Sequence, residues 1–304
     1  MTDHRTPDGG ALGDAVDPLD EALVAKRLDT VWLGKPHIHV AVCSSTNDLV
    51  TTEARAGAAE GLVVTADAQT EGRGRLGRTW HSPPGANLHL SFLLRPQQPA
   101  TQIPPLTLLV GGAVAMALLR LGFEARVKWP NDVLLCTGGG ADPRAQMGQG
   151  GPVRWRKVAG ILTEASTDGD RVGHVVVGVG LNVNIAAFPE ELIEKATSLR
   201  LARDGVPVNR VEVLARLLGT LEEAYDRFRS RGPAAAIELW EAHADLGRRC
   251  RALVGGRAVE GVTTGVAPDG ALLLRDDRDV EHRIVAGEVV GVDARDAGGD
   301  HPLT

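Results

Sequence analysis

Three cysteines in 304 residues, Cys43, Cys136 and Cys250, are odd in number and far apart, which excludes a disulfide framework. With no Cys-x-x-Cys spacing there is no zinc signature either, so a reducing, cytoplasmic setting is expected. A broadly basic surface is also missing: the formal net charge is −6, which argues against a general nucleic-acid binder. No apolar run is long enough to span a bilayer. The longest, Leu106 to Leu119, is rich in glycine and alanine and reads as a buried helix, so no membrane partner is expected. Met1 to Pro18 has neither a basic start nor an apolar segment, which excludes a signal peptide. Gly-x-x-x-x-Gly-Lys-Ser/Thr and the kinase signatures do not occur, and no Ser/His/Asp set can be assembled for nucleophilic catalysis.

Against that background stands one loop, Gly72-Arg73-Gly74-Arg75-Leu76-Gly77-Arg78-Thr79-Trp80. Glycines let backbone N–H groups approach a ligand closely, and each guanidinium offers a planar fork matched to phosphate or carboxylate. Three close like charges on a flexible turn are expected to order only around something negative.

Patterning divides the chain into a disordered leader (1–19), a catalytic unit (20–245), a small C-terminal β-barrel (246–293) and a tail (294–304). A short helix is predicted over Asp20–Leu28 and a strand over His37–Cys43, followed by Ser44-Ser45-Thr46-Asn47 before a helix at Asp48–Ala56. The polar run either caps that helix or faces a ligand at its N-terminus. Strands at Gly61–Ala68 and Leu88–Leu94 should pair antiparallel and hold the arginine loop at both ends. Leu106–Leu121 reads as a core helix and Glu124–Lys128 as a strand ending in Lys128-Trp129-Pro130-Asn131-Asp132. Residues 137–152, rich in glycine, are taken as a mobile hairpin tip between strands that bring Asp132 and Lys157 together. Arg171–Gly180 is a β-branched strand, and Gly178-Val179-Gly180 is read as a tight strand exit. Asn209 with Glu212 marks a helix start, and Val211, Leu214, Leu218, Leu221, Tyr225 and Phe228 form its core stripe. A second helix is expected at Ala234–Ala244. Five short strands then follow, with a hairpin turn at Pro268-Asp269-Gly270. The fold class is α+β: a mixed sheet flanked by helices plus the small barrel.

The polar segments all fall at strand ends, where ligand sites of such folds gather, so a single pocket is expected to collect them. Five cations, Arg73, Arg75, Arg78, Lys128 and Lys157, with the carboxylate of Asp132, suit a polyphosphate together with a carboxylate. Cations without a nucleophile point to nucleotidyl transfer.

Four of these motifs, in this order, resemble the biotin protein ligases: the Gly72–Trp80 loop, Lys128-Trp129-Pro130-Asn131-Asp132, Arg156-Lys157-Val158-Ala159-Gly160-Ile161-Leu162, and Gly178-Val179-Gly180-Leu181-Asn182. The resemblance implies a catalytic fold like that of class II aminoacyl-tRNA synthetases with an SH3-like C-terminal barrel, and a monomer or weak homodimer. It implies that ATP with Mg2+ activates biotin to biotinyl-5'-AMP, and that biotin then passes to a lysine of a carrier domain in an acetyl-CoA, acyl-CoA or pyruvate carboxylase. Ser45, Thr46, Asn47 and Gln69 would hold the biotin head, with Arg73, Gly74, Arg75 and Lys157 closing on its tail and the adenylate. Arg78, Asn131 and Asn182 would contact the nucleotide, and Trp80 would stack on adenine. Lys157, Lys128 and Arg75 would stabilise charge at the reacting oxygens. Asp132 would either bind magnesium or take the proton of the acceptor lysine. The bifunctional members carry an N-terminal DNA-binding domain; upstream of the catalytic unit here is only an acidic leader, so no DNA partner is expected. A lipoyl or octanoyl transferase and a non-catalytic adenylate-binding protein are the rival readings.

Overall fold

The computed structural model describes residues 19–137, 154–254 and 257–291. The leader up to Pro18, the tail from 292 and nearly all of the glycine-rich 137–152 segment lie outside the described residues. Leu19, expected to end the leader, is instead fully buried, and the next residue, Asp20, caps helix α1 (Glu21–Arg27) by accepting from the backbone N–H of Ala22 and Leu23.

Strands β1 (His37–Cys43), β2 (Val63–Gln69), β3 (Leu88–Leu94), β4 (Ala125–Lys128), β5 (Asp132–Thr137), β6 (Arg154–Asp168) and β7 (Arg171–Leu181) form one sheet in the order β1-β2-β3-β7-β6-β5-β4. Only β1 and β2 run parallel; the other neighbours are antiparallel. The segments β1 and β3 match their sequence-based ranges. Strand β6 extends to Asp168 because its ladder with β7 continues to the Asp168–Arg171 pair.

Helix α3 (Leu106–Arg120) is apolar all round up to its exposed last turn because it is enclosed there: it packs on β4, β5 and β6 and against α5 (Arg210–Arg231) and α6 (Pro233–Glu241). Asn209 caps α5 by accepting from Glu212 N–H, and all six stripe residues of that helix are buried. The opposite face of the sheet is covered by α2 (Thr46–Arg55), whose Val50 and Ala54 pack on Leu62, Val64, Leu93 and Val176. A short helix, α4 (Leu199–Ala202), follows β7 and is capped by Ser198.

A second, antiparallel sheet is made of β8 (Arg249–Val254), β9 (Arg257–Val266), β10 (Leu272–Arg275), β11 (Glu281–Ile284) and β12 (Val289–Gly291), ordered β11-β10-β9-β8-β12. The β9–β10 hairpin turns at Pro268-Asp269-Gly270, where Gly270 takes φ 85°. That turn also joins the two sheets, since Trp129 Nε1 donates to Gly270 O at 3.0 Å.

Candidate active site

One cavity of about 510 Å3 opens where the ends of β1, β2, β4 and β7 meet. Every site residue named from the sequence lines it: Ser45, Thr46, Asn47 and Gln69; Arg73, Gly74, Arg75, Arg78 and Trp80; Lys128, Asn131, Asp132, Lys157 and Asn182.

The arginine loop is a tight hairpin rather than a loose lid. Trp80 N–H donates to Gly72 O and Gly74 N–H to Arg78 O, at 2.9 and 2.6 Å. The turn itself places Leu76 and Gly77 at φ 58° and 74°. Part of the negative charge expected around such a loop comes from two carboxylates of the protein. Asp48, in the first turn of α2, holds Arg73 at 2.5 Å, and Glu288, just before β12, holds Arg78 through both its oxygens at 2.8 and 2.6 Å. These hydrogen bonds push the Arg73 and Arg78 guanidiniums above their ordinary range, and the Arg78 bond holds Glu288 below the usual carboxylate range. Arg75 is different: burial pulls it below its ordinary value, and its one hydrogen bond is a long contact of 3.5 Å from Nη1 to Asn131 Oδ1.

At the cationic end, the β4–β5 hairpin sets Lys128 opposite Asp132, and the Asp132 carboxylate reaches Lys157 Nζ at 2.6 Å. Sequence spacing had placed these two residues together. Lys157 is fixed from both sides of its strand. It pairs with Leu134 of β5 at a register shift, while its N–H donates to Lys195 O and its carbonyl accepts from Thr197 N–H, each at 2.8 Å. A strand irregularity of this kind re-aims a side chain out of the regular pleat. Lys128, like Arg75 and Lys195 on the same cavity, has no ion pair among the described residues. Asn131 donates to Ile161 O at 2.9 Å. Asn182 lines the cavity with both ends of its amide bonded inside the protein, to Thr197 O and Asn87.

The other end is shaped by missing side chains. Gly178 and Gly180 do not form the strand exit expected for them; both lie within β7, and Gly160 of β6 sits directly opposite Gly180. A Cβ at Gly180 would lie 2.5 Å from Trp80 Cε2, and one at Gly160 would lie 3.0 Å from Trp80 Cζ3, so this glycine pair is the floor under the indole. Lys157 Nζ stands 5.4 Å from the Trp80 ring centroid, inside cation–π range. A Cβ at Gly178 would lie 2.3 Å from Asn47 Oδ1. Along this wall, Thr46 N–H donates to Gln69 Oε1 at 2.9 Å. The helix-capping alternative for the polar run does not hold, because Ser45 is the N-cap residue of α2 and its side chain makes no capping bond.

Sequence reasoning missed Glu288, Ser91 and Glu164, which hold site residues in place, and Phe188, Leu192 and Lys195, which complete the rim. Only the glycines carried a local signal: glycine inside a β-branched strand marks a close approach as readily as a turn. Among the described residues no group of three His, Cys, Asp or Glu side chains could hold a metal ion.

Comparison with known proteins agrees with this geometry. Residues 39–182 match the Biotin/lipoate A/B protein ligase family, and residues 245–291 match the Biotin protein ligase C terminal domain. A biotin–acetyl-CoA-carboxylase ligase of Mycobacterium tuberculosis is 34% identical, over 90% of this chain and 96% of that protein. A bifunctional ligase/repressor BirA of Bacillus subtilis is also 34% identical, over 86% of this chain and 76% of that protein. Among solved structures, the biotin protein ligase from Aquifex aeolicus in complex with biotin and ATP superposes with a TM-score of 0.66 at 28% identity, covering 84% of this chain and 98% of that one.

Proposed function

Since this chain belongs to the biotin protein ligases, we propose that it activates biotin with ATP to biotinyl-5'-AMP and then transfers the biotin to a lysine on the carrier domain of a carboxylase. The observation that carries this reading is the cavity itself: the Lys157–Asp132 pair, an amide and hydroxyl wall, and the cations Arg75 and Lys128 all line one space.

In the first step a carboxylate oxygen of biotin forms a bond to the α-phosphorus and the bond to the β-phosphate oxygen breaks, releasing pyrophosphate. Negative charge grows on the phosphoryl oxygens, and fixed ammonium and guanidinium groups stabilise it without reorganisation. Lys157, held by a carboxylate and by its strand, is preorganised for that task; Lys128 and Arg75 add charge beside it. Trp80, packed flat on the glycine floor, supplies an apolar face for the thiophane or the adenine ring. In the second step the acceptor amine attacks the acyl carbon, the acyl–phosphate bond breaks, and AMP leaves with the amine proton passing to a base.

A magnesium ion fits this donor set as a passenger on the triphosphate. Magnesium keeps most of its waters and takes one or two carboxylates plus phosphate oxygens, and Asp132 is the carboxylate paired with Lys157. Lys157 occupies Asp132 Oδ1. The second oxygen serves either the ion or the acceptor's proton, and Asp132→Asn separates the two. Loss confined to pyrophosphate release favours the metal, whereas loss confined to transfer from preformed biotinyl-AMP favours the base.

The C-terminal match favours a biotin ligase over a lipoyl or octanoyl transferase, and the Lys157–Asp132 pair favours an enzyme over an adenylate-sequestering protein. The test is incorporation of labelled biotin into a purified carrier domain, together with pyrophosphate release that requires both biotin and ATP. Release without biotin, or with octanoate in its place, overturns the reading.

A further inference from the structure

We propose that Ser91 and Glu164, which stand behind the cavity wall rather than in it, are positioning residues that make the Thr46 hydroxyl an obligatory hydrogen-bond acceptor, so that the site selects an acyl substrate presenting an N–H there. The inference deepens the ligase reading and rests on it.

Ser91 is fully buried on β3, with Oγ 2.6 Å from Asn47 Oδ1 and 2.7 Å from Thr46 Oγ1. Its hydroxyl has a single proton for these two neighbours. Asn47 decides where that proton goes. Its Nδ2 donates to Glu164 Oε2 at 2.5 Å, and an ionised carboxylate only accepts, so the end facing Ser91 is the amide oxygen. Ser91 therefore donates to Asn47 and can only accept from Thr46.

The Thr46 proton is thus committed to Ser91. The competing acceptor, Gln69 Oε1, is farther away at 3.2 Å and already receives Thr46 N–H. A lone pair is what remains on Thr46 Oγ1, and Thr46 lines the cavity. Each bond in the sequence Glu164, Asn47, Ser91, Thr46 has one allowed direction, set by the charge at its solvent end. Gly178 keeps the room for it, since a Cβ there would displace Asn47 Oδ1. The ureido ring of biotin offers an N–H to such an acceptor. An alkyl or dithiolane head offers none and leaves a buried lone pair unpaired, which is how polar sites reject analogues strongly.

The test uses the full-length protein in biotin-dependent ATP–pyrophosphate exchange, with biotin and the two cyclic-carbamate analogues in which one ureido N–H is replaced by a ring oxygen. The native protein should reject one analogue by about tenfold or more, through a higher KM with kcat little changed. In Ser91→Ala the Thr46 hydroxyl is free to donate to the ring oxygen, so the rejection should collapse toward parity while KM for ATP stays constant. Glu164→Leu should act in the same direction from an exposed position that folding tolerates, and Glu164→Gln, which still offers an accepting oxygen, should retain the discrimination. Unchanged discrimination in Ser91→Ala and Glu164→Leu, or KM values for ATP and biotin rising together, overturns the proposal. Native protein that exchanges with neither biotin nor the analogues would sink the ligase reading instead.

Discussion

A single methyl group placed on the sheet should test the geometry of the cavity floor. In Gly180→Ala the new Cβ would stand 2.5 Å from Trp80 Cε2, 2.7 Å from Nε1 and 2.8 Å from Cζ2. Carbon atoms rest at about 3.5–4.0 Å, so the indole must retreat by about 1 Å along its Nε1–Cε2–Cζ2 edge. The backbone below cannot give way, because Gly180 is paired on both sides, to His89 and to Gly160. The ring's way out is upward, off the glycine floor and into the cavity. Overpacking of this kind costs about 1–3 kcal/mol, which for a chain of this size lowers Tm by several degrees. The larger effect should be functional: KM for biotin in pyrophosphate exchange should rise at least as steeply as stability falls, because the displaced ring intrudes on the substrate. Calorimetry and exchange kinetics on the same preparation read both quantities. A Gly180→Ala protein with the native Tm and the native KM for biotin would refute the claim that this glycine exists to admit the indole.

Lys157→Ala should lower the rate of adenylate formation by about 10²–10³-fold while leaving Tm almost unchanged, since one preorganised charge at a reacting oxygen is removed from a partly exposed position; pyrophosphate release close to the native rate would refute its role. Gly219→Ala is the opposite experiment: this glycine lies inside α5 with open space around its would-be Cβ, so alanine should stabilise the protein by about 0.5–1 kcal/mol with exchange kinetics unaffected, and a fall in Tm would contradict it. His89 is 1% exposed, neither ring nitrogen has a hydrogen-bond partner among the described residues, and burial, helped by the Arg210 charge, lowers its pKa to about 4. Because the unfolded chain binds this proton near pH 6.5 and the folded one only near 4, folding stability should be intact above pH 6.5 and fall as pH drops toward 4, by up to about 3 kcal/mol. His89→Phe should flatten that acid limb in denaturant titrations, and an unchanged slope would show the imidazole is not the group responsible.

Much of the fold was legible because its signals are local. β1 and β3 are bounded by alternation and turn residues within a few positions, and the α5 stripe repeats at helical steps that Asn209 and Glu212 frame. The cavity residues were legible for a related reason: each lies at or near a strand end, where a polar run interrupts an apolar one. What the sequence hid are partners across space. Asn47 meets Glu164 at a separation of 117 residues and Arg78 meets Glu288 at 210, and neither glutamate sits in a pattern that sets it apart from a surface acid. Gly178 and Gly180 were visible but misread, since a glycine's purpose in a strand depends on what approaches it from elsewhere.

Those distant partners also change what the arginine loop can do. With Arg73 on Asp48 and Arg78 on Glu288, two of the three guanidiniums of the hairpin have a counter-charge within the protein, which offsets their mutual repulsion. The holding bonds are weak enough to exchange. Side chains in the Arg78–Glu288 pair are 62% and 41% exposed, so the pair contributes about 0–1 kcal/mol, whereas a charge-assisted bond from the same guanidinium to a phosphate contributes about 1.5–3 kcal/mol. A phosphate group that reaches Arg78 therefore meets only a weak competitor in Glu288. The two carboxylates thus neutralise the outer guanidiniums of the loop and leave Arg75, which has no ion pair among the described residues and is pulled below its ordinary value by burial, as the uncompensated charge of the three.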